Sequence, residues 1–280
     1  MVKEKAYAKL NLYLDVLGKR PDGYHNIETI MAPINLFDTL TFKATDEPGI
    51  RLQSDIEITE KPEENLVFQA AQHLIDTHNI EQGVEITIEK NIPVAAGLAG
   101  GSADCAVTLL GLNKLFKLKI PDEELAKIGE QFGADVPYCI FNRACIGRGK
   151  GDELVFLNRS LKWPVLIVIP DWAVSTREIY QSVDMKKVPR KKITTMSNAI
   201  YNRNYELMVT ELYNALEPFT FAKFPEVKAL KETLLKEPVD GVIMSGSGPT
   251  IAVFSRDKKA LEAVAEKYRE NHRVILTKIK

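Results

Sequence analysis

Apolar and polar residues alternate strictly along the segment Ala6–Val16, near the start of the chain. Successive side chains of a β-strand point to opposite faces, so this pattern predicts a half-buried strand near residues 5–17. Lys9 and Asn11 then lie next to each other on the polar face. That face is either an ordinary solvated surface or a place where a cation and an amide meet one substrate.

Other periodic patterns predict more strands and helices along the chain. We expect strands near 36–44 and 84–89, and helices near 63–78, 101–116 and 122–132. The run Trp163–Pro170 carries no charged side chain and predicts a short buried strand, since it is too short to span a membrane. Because strands and helices mix without a steady alternation, the α+β class is favoured over a doubly wound parallel sheet. A domain boundary is expected near 158–162.

A glycine-rich stretch runs directly into one of the predicted helices. Gly97, Gly100 and Gly101 lack Cβ atoms and can adopt positive φ, so backbone N–H groups can close around an anion at the helix N-terminus. Ser102 adds a hydroxyl there. The pattern predicts a phosphate-binding loop, and the alternative is a tight turn with close helix packing. The residues expected to contact a nucleotide are Pro93, Val94, Ala95, Ala96, Gly97, Leu98, Ala99, Gly100, Gly101, Ser102, Ala103 and Asp104.

Near the C-terminus, two apolar runs within Asp240–Phe254 are joined by the sequence Ser-Gly-Ser-Gly-Pro. This arrangement predicts a strand, a glycine turn at Gly246 and Gly248, and a second strand. Taken alone, the segment is compatible with any structural hairpin.

Composition and charge exclude several classes of protein. With 37 basic and 38 acidic residues, the chain has a net charge of −1, so no overall field attracts nucleic acid or an anionic membrane. The basic cluster Lys186–Lys192 is expected to be a solvated loop, with phosphate steering as the alternative. Cys105, Cys139 and Cys145 have no metal-binding or disulfide spacing, which indicates a reducing cytoplasm and no metal held by protein side chains alone. No secretory signal pattern is evident.

Three segments together resemble the motifs of the GHMP small-molecule kinases, in the family order. They are A-K-L-N-L-Y-L around Lys9, P-x-x-x-G-L-x-G-G-S-A-D in the glycine-rich stretch, and the Ser-Gly-Ser-Gly-Pro turn. The resemblance implies an N-terminal domain like domain 2 of ribosomal protein S5, at 1–158, that binds ATP with Mg²⁺. It also implies a ferredoxin-like C-terminal domain at 159–280 that binds the substrate, with the active site in a cleft between the two.

Two further segments resemble the members of this family that act on a cytidine diphosphate-linked alcohol. They are Arg20–His25 and Gly133–Pro137. This resemblance implies ATP-dependent phosphorylation of the 2-hydroxyl of cytidine diphosphate-linked methylerythritol, in the non-mevalonate route to isoprenoid precursors. Asp135 is expected to be the base and Lys9 its electrostatic partner, although Asp135 is also placed to be an ordinary helix N-cap. The expected substrate contacts are Asn11, Tyr24, His25, Tyr180, Gly246 and Gly248.

Two alternatives remain open from the sequence. One is another GHMP kinase acting on homoserine, mevalonate or a sugar, and the other is a nucleotide-binding sensor on this fold without catalysis. Ala99 departs from the family pattern, which usually has glycine there. If Ala99 must adopt a left-handed conformation, the strain is about 1 kcal/mol, which a loop can tolerate. A monomer or a weak homodimer is expected, with no nucleic-acid or membrane partner.

Overall fold

Strands and helices follow one another irregularly along residues 1–158 and 160–280, which a computed structural model describes. The strands are β1 (Val2–Lys19), β2 (His25–Thr45), β3 (Ile50–Ser54), β4 (Gly83–Glu89), β5 (Cys145–Arg148), β6 (Glu153–Phe156), β7 (Pro164–Ile169), β8 (Tyr213–Asn214), β9 (Gly241–Met244), β10 (Ile251–Phe254) and β11 (Arg273–Lys278). The helices are α1 (Leu66–Thr77), α2 (Gly100–Leu115), α3 (Asp122–Gly129), α4 (Val136–Phe141), α5 (Thr176–Gln181), α6 (Ile193–Tyr201), α7 (Tyr205–Glu211), α8 (Glu217–Lys223), α9 (Pro225–Leu234) and α10 (Lys258–Tyr268). A 3₁₀ turn at Pro62–Glu64 precedes α1.

The predicted strands and helices are present, with differences at their ends. The first strand and the buried strand near 163–170 correspond to β1 and β7, and the C-terminal hairpin corresponds to β9 and β10. The strand predicted near 36–44 is only the second half of β2, which already begins at His25. The predicted boundary near 158–162 includes residue 159, which lies outside the described residues.

The polar face of β1 is not solvated, contrary to the half-buried strand that alternation predicted. Lys9, Asn11 and Asp15 are at most 5% exposed, and the strand is buried on both faces along most of Ala8–Val16. Alternation identifies the two faces of a strand, but it cannot show what packs against each face. A cation and an amide held inside a protein need specific polar partners.

One compact unit comprises 1–8, 36–94 and 99–142. In it, β3 runs parallel to β4, and β4 pairs antiparallel with the second half of β2, so that Leu40 faces Ile88. Helices α1 to α4 belong to the same unit, and α1 and α2 pack together. Asn65 caps α1 by accepting a hydrogen bond from the Val67 N–H. Gly111 lets α2 approach the Phe42 ring of β2, because a Cβ there would overlap the ring.

The other compact unit comprises 9–35, 95–98 and 143–280. Four of its strands form an antiparallel sheet in the order β11-β7-β10-β9. Along the chain these strands and the helices between them follow a β-α-β-β-α-β order, which is the ferredoxin-like arrangement and confirms that expectation. Its core includes Leu166, Val168, Val253 and Leu261. The β5–β6 hairpin pairs with β2, and β8 pairs with β1.

Among the described residues, we find no helix with the length and apolar character needed to cross a membrane.

Candidate active site

The glycine-rich loop between β4 and α2 obtains its shape from positions other than those the sequence suggested. Gly97 has a positive φ of 72°, as its residue type allows, but Gly100 and Gly101 already belong to α2. The remaining left-handed positions are two alanines, Ala95 with φ 55° and Ala99 with φ 58°. Ala99 occupies the N-cap of α2, so the left-handed conformation considered for it is present.

The missing Cβ atoms of Gly100 and Gly101 serve different purposes. A Cβ on Gly100 would lie 2.9 Å from Cγ2 of Ile92, so glycine allows the start of α2 to approach the incoming chain. A Cβ on Gly101 would meet nothing closer than 3.9 Å, and Gly101 is exposed. The first turn of α2 is therefore open to solvent at Gly101 rather than packed against protein.

The residues predicted to contact a nucleotide fall into exposed, half-buried and buried groups. Val94, Ala95 and Gly101 are exposed, whereas Pro93, Gly97, Ala99, Gly100 and Ser102 are half-buried. The side chains of Ala96, Leu98, Ala103 and Asp104 are buried. What this stretch offers to a ligand is therefore backbone N–H groups and the Ser102 hydroxyl, as a phosphate site requires.

The loop between β9 and β10 packs directly on Gly97. The Ser245 hydroxyl donates to the Gly97 carbonyl at 3.1 Å, and a Cβ on Gly97 would lie 2.7 Å from the Ser245 carbonyl oxygen. Gly246 and Gly248 both have positive φ, and Asn214 Nδ2 supports this loop by donating to the Gly246 carbonyl at 2.7 Å. The second and third sequence motifs are thus in contact, and glycine is what permits it.

Lys9 and Asn11 form a directed chain of hydrogen bonds, as their predicted adjacency suggested. Lys9 Nζ donates to Asn11 Oδ1 at 2.7 Å, and Asn11 Nδ2 donates to Thr29 Oγ1 at 2.9 Å. Thr29 in turn donates to the Tyr13 carbonyl at 2.7 Å. Asn11 Oδ1 also lies 3.5 Å from where a Cβ of Gly246 would be. The ammonium is therefore held in a fixed orientation beside the loop between β9 and β10.

Aromatic residues gather around the start of β2. Tyr24 is 57% exposed, whereas His25, the next residue, is buried with its ring centroid 5.5 Å from that of Tyr180. Burial, together with the Lys19 charge, lowers the pKa of His25 and favours the neutral ring. Among the described residues, His25 Nδ1 has no hydrogen-bond partner. A buried ring nitrogen without a hydrogen-bond partner destabilises the fold unless a ligand supplies that hydrogen bond.

Asp135 lies at the N-cap position of α4, yet its side chain does not cap that helix. The ordinary capping role considered for this residue therefore has no hydrogen bond to support it. Asp135 is half-buried, and Gly133 just before it lies close to Ser102, since a Cβ on Gly133 would be 3.7 Å from Ser102 Oγ. The segment that carries Asp135 is thus adjacent to the first turn of α2.

Comparison with protein-family models gives two matches. Residues 65–143 match the GHMP kinases N terminal domain, and residues 195–274 match the GHMP kinases C terminal domain. The chain belongs to the GHMP kinase family. The family, the two-domain fold and the kinase character expected from the three motifs are therefore confirmed.

Relatives narrow the position of this GHMP kinase within the family. Two Staphylococcus aureus proteins, each named "Putative 4-diphosphocytidyl-2-C-methyl-D-erythritol kinase", are 41% and 40% identical over 251 and 256 residues. The matches cover 90% and 91% of this chain, and 89% and 91% of those proteins.

Among solved structures too, one named for this activity is more similar to the chain than a homoserine kinase is. The crystal structure of a 4-(cytidine 5'-diphospho)-2C-methyl-D-erythritol kinase superposes with a TM-score of 0.84 at 30% identity, covering 99% of both chains. A homoserine kinase from Cytophaga hutchinsonii reaches a TM-score of 0.77 at 18% identity, covering 99% of this chain and 94% of its own. At 18% identity, the match to the homoserine kinase shows only that the two proteins share a fold.

No local sequence pattern predicts the buried ionic network of this GHMP kinase. Lys90 Nζ donates to Asp38 Oδ2 at 2.5 Å and to Asp104 Oδ2 at 2.7 Å, with all three side chains at most 4% exposed. Burial and the neighbouring Asp38 raise the pKa of Asp104 to about 8, although the Lys90 charge opposes the shift. Burial alone would lower the pKa of Lys90, but the two carboxylates outweigh it and raise that pKa.

Lys150 is a second residue that motif analysis did not single out. Its Nζ lies 5.4 Å from the Tyr24 ring centroid, in the turn between β5 and β6. A lysine flanked by Gly149 and Gly151 was a signal that could have drawn attention to it.

Among the described residues, no cluster of three or more His, Cys, Asp or Glu side chains could hold a metal ion.

Proposed function

We propose that this GHMP kinase transfers the γ-phosphoryl group of ATP to the 2-hydroxyl of 4-diphosphocytidyl-2-C-methyl-D-erythritol, in the non-mevalonate route to isoprenoid precursors. Relatives and a solved structure named for this activity match nearly the whole chain. The observation that carries the choice of acceptor is the ring pair of buried His25 and half-buried Tyr180, in which His25 Nδ1 has no hydrogen-bond partner among the described residues. Homoserine and mevalonate contain no base that could use such a pair.

The glycine-rich loop is the proposed site for the ATP phosphates. Backbone N–H groups at the exposed first turn of α2 and the positive end of the helix dipole favour an anion there. ATP is expected to bring Mg²⁺, which takes oxygen ligands mainly from phosphates and water and supplies positive charge to the phosphoryl oxygens. The Ser102 hydroxyl, half-buried in that turn, is a side-chain oxygen that fits such an ion.

The catalytic roles follow from what phosphoryl transfer to an alcohol requires. Asp135 would accept the proton of the acceptor hydroxyl, and positioning matters more than basicity because the proton leaves late in a largely dissociative transition state. Lys9 would stabilise negative charge on the transferring group and lower the pKa of the hydroxyl. Asn11 orients Lys9 through its 2.7 Å hydrogen bond and would contact substrate hydroxyls.

The acceptor would be recognised through its cytosine. Tyr24, exposed beside His25, presents a ring on which the base can stack, and Tyr180 would lie against the base from its place beside His25. The neutral His25 ring offers an acceptor or a donor to the polar edge of the base. Gly246 and Gly248 would let backbone atoms approach the substrate closely.

The broader expectations belong to the same proposal. Residues 1–158 would form the ATP-binding domain and 159–280 the substrate-binding domain, which agrees with family matches that end at 143 and resume at 195. A location in the cytoplasm fits the three free, buried cysteines. A monomer or weak homodimer without nucleic-acid or membrane partners fits the net charge of −1.

The test is turnover of the purified protein with ATP and Mg²⁺, followed as ADP release. 4-Diphosphocytidyl-2-C-methyl-D-erythritol, homoserine and mevalonate are offered in parallel at equal concentration. Turnover with the cytidyl alcohol alone supports the proposal. Turnover with another alcohol would remove the cytosine assignment of Tyr24 and His25 while keeping a kinase, and no turnover with any acceptor would favour a nucleotide-binding sensor.

A further inference from the structure

The network of Asp38, Lys90 and Asp104 joins the chain entering the glycine-rich loop to the helix that leaves it. On the entering side, Asp38 Oδ1 accepts hydrogen bonds from the N–H groups of Asn91 and Ile92, at 2.6 and 2.7 Å. On the leaving side, Asp104 lies in the first two turns of α2. Lys90 Nζ binds both carboxylates and so connects the two sides.

This network is costly to bury and is incompletely paired. Two carboxyl groups share one ammonium inside the protein, and Asp104 Oδ1 has no hydrogen-bond partner among the described residues. Removing charges from water costs several kcal/mol per ion, and replacing a buried ionic cluster by apolar residues is often neutral or stabilising. Stability alone is therefore a weak reason for the cluster, whereas in some proteins such groups serve to fix one geometry.

The backbone at the start of α2 also packs closely against the entering chain. An ideal Cβ on Gly100 would lie 2.9 Å from Ile92 Cγ2 and 3.6 Å from Lys90 Nζ. If the first turn of α2 shifts towards the entering chain, it meets Ile92, whose N–H group is bound by Asp38, and Lys90 itself. The separation between the entering chain and the first amides of α2 depends on this contact.

We propose that Asp38, Lys90 and Asp104 form a clasp that sets the position of the first turn of α2, and that they are positioning residues for the nucleotide phosphates. The proposal rests on the proposed function only in that this loop binds a nucleotide. None of the three carboxylate or ammonium groups needs to touch the ligand. Asp104, expected from sequence to contact the nucleotide, acts instead through the helix that carries it.

The decisive comparison is between Asp104→Ala and Asp104→Asn. The alanine variant cuts the connection to α2 but leaves Lys90 paired with Asp38, whereas asparagine keeps an acceptor oxygen for Lys90. We expect Asp104→Ala to weaken ADP binding, measured by calorimetry, about tenfold, since small misplacements of binding groups are costly. Its KM for ATP should rise similarly, with the KM for the acceptor alcohol within twofold of wild type. Asp104→Asn should retain ADP affinity within about threefold.

Val84→Ala controls for lost stability, because Val84 is a buried residue at the start of β4 in the same unit and belongs neither to the network nor to the glycine-rich loop. If Val84→Ala and Asp104→Ala lower the thermal midpoint equally, only the latter should lose ADP affinity. The clasp is overturned if Asp104→Ala binds ADP like wild type. It is equally overturned if the alanine and asparagine variants weaken binding alike, or if both KM values rise together.

Hydrogen exchange gives a readout that needs neither turnover nor a ligand. In Asp104→Ala, peptides covering the second turn of α2, where Asp104 lies, should exchange at least about tenfold faster than in Asp104→Asn, while α3, α4 and the Asn91 and Ile92 amides, which stay bound to Asp38, are unchanged. Equal exchange in the two variants would overturn the clasp. If wild type binds ADP but phosphorylates no acceptor, the proposed function fails while the clasp still stands or falls on these measurements.

Discussion

Asp135 is the residue whose replacement most directly tests the chemistry. Asparagine keeps the shape of the side chain but cannot accept the hydroxyl proton, so we expect Asp135→Asn to lower kcat at least about a hundredfold. Because asparagine has nearly the size and shape of aspartate, the fold and the affinity for ADP should persist. Steady-state kinetics and ADP calorimetry check both statements, with Asp122→Asn, an exposed position of α3, as control. A kcat close to wild type would remove Asp135 from the mechanism.

Ala99 carries strain that its residue type does not relieve. Its left-handed backbone costs an L-residue about 1 kcal/mol, and glycine would avoid that cost but lose more entropy on folding. We expect Ala99→Gly to raise the free energy of unfolding by at most about 1 kcal/mol.

The matched control for Ala99→Gly is Ala103→Gly, four residues later in the helical part of α2. The same substitution there should destabilise by about 1 kcal/mol, because the backbone is right-handed and the methyl group is buried. Denaturant unfolding of both variants gives the two values. Equal destabilisation at the two positions would show that the conformation of Ala99 contributes no strain.

Tyr24 tests recognition of the acceptor rather than the chemical step. Its ring is mostly exposed and makes a 5.4 Å contact with the Lys150 ammonium, so its loss should leave the fold intact. We expect Tyr24→Ala to raise the KM for the cytidyl alcohol about tenfold, within the range of one lost base-stacking contact, and the KM for ATP less than twofold. Tyr201→Ala, at another exposed tyrosine, should change neither. Equal effects on both KM values would contradict the cytosine assignment.

At the scale of elements, two glycines of the same loop should have separable effects. A Cβ on Gly97 would press on the Ser245 and Gly248 carbonyl oxygens at 2.7 and 2.9 Å, whereas the atom nearest to a Cβ on Gly101 would be Leu66 Cδ1 at 3.9 Å. We expect Gly97→Ala to destabilise by about 1–3 kcal/mol, because of overlap and positive φ. Gly101→Ala should leave stability unchanged or slightly higher, as in a helix, but weaken ADP binding.

Thermal unfolding and ADP calorimetry on both glycine variants separate these roles. Loss of stability in Gly101→Ala would mean that the first turn of α2 is packed against protein rather than open. Unchanged stability in Gly97→Ala would mean that the contact between the two loops yields without cost.

The sequence predicted element types better than it predicted their surroundings. Alternation located β1, and the glycine-rich stretch located the start of α2, because both signals are local. Alternation could not show that Lys9 and Asn11 are buried, since that depends on what packs against the polar face. Composition likewise could not show that Ala99, rather than Gly100, adopts the left-handed conformation.

At the scale of the whole molecule, tertiary contacts account for what the sequence did not predict. Asp38 and Lys90 are 52 positions apart, and no local periodicity connects them. His25 and Tyr180 come from two separate chain segments of one unit, and only the family resemblance suggested that they share a pocket. The fold could be predicted because three motifs occur in family order, whereas the network beneath the loop could not, because it uses common residues at unremarkable spacings.

The same network predicts how global stability depends on pH. The pKa of Asp104, raised to about 8 from 3.8 by burial and by Asp38, means that the folded protein keeps a proton that the unfolded chain releases. Unfolding then releases this proton, so stability falls as pH rises between these two values. The lowered pKa values of His25 and His272 act below about 6.5, where they reduce stability as pH falls.

Because the two histidines act mainly below pH 6.5, the difference between wild type and Asp104→Asn from pH 6.5 to 8 reports on Asp104. Wild type should lose thermal stability as pH rises across this window, at no more than about 1.4 kcal/mol per pH unit for one proton. Asp104→Asn cannot release that proton, so its midpoint should stay nearly constant, while terminal groups titrate equally in both proteins. Scanning calorimetry at matched ionic strength measures the difference between the two curves. Parallel curves would show that Asp104 is already ionised in the folded protein and that Lys90 balances two negative charges.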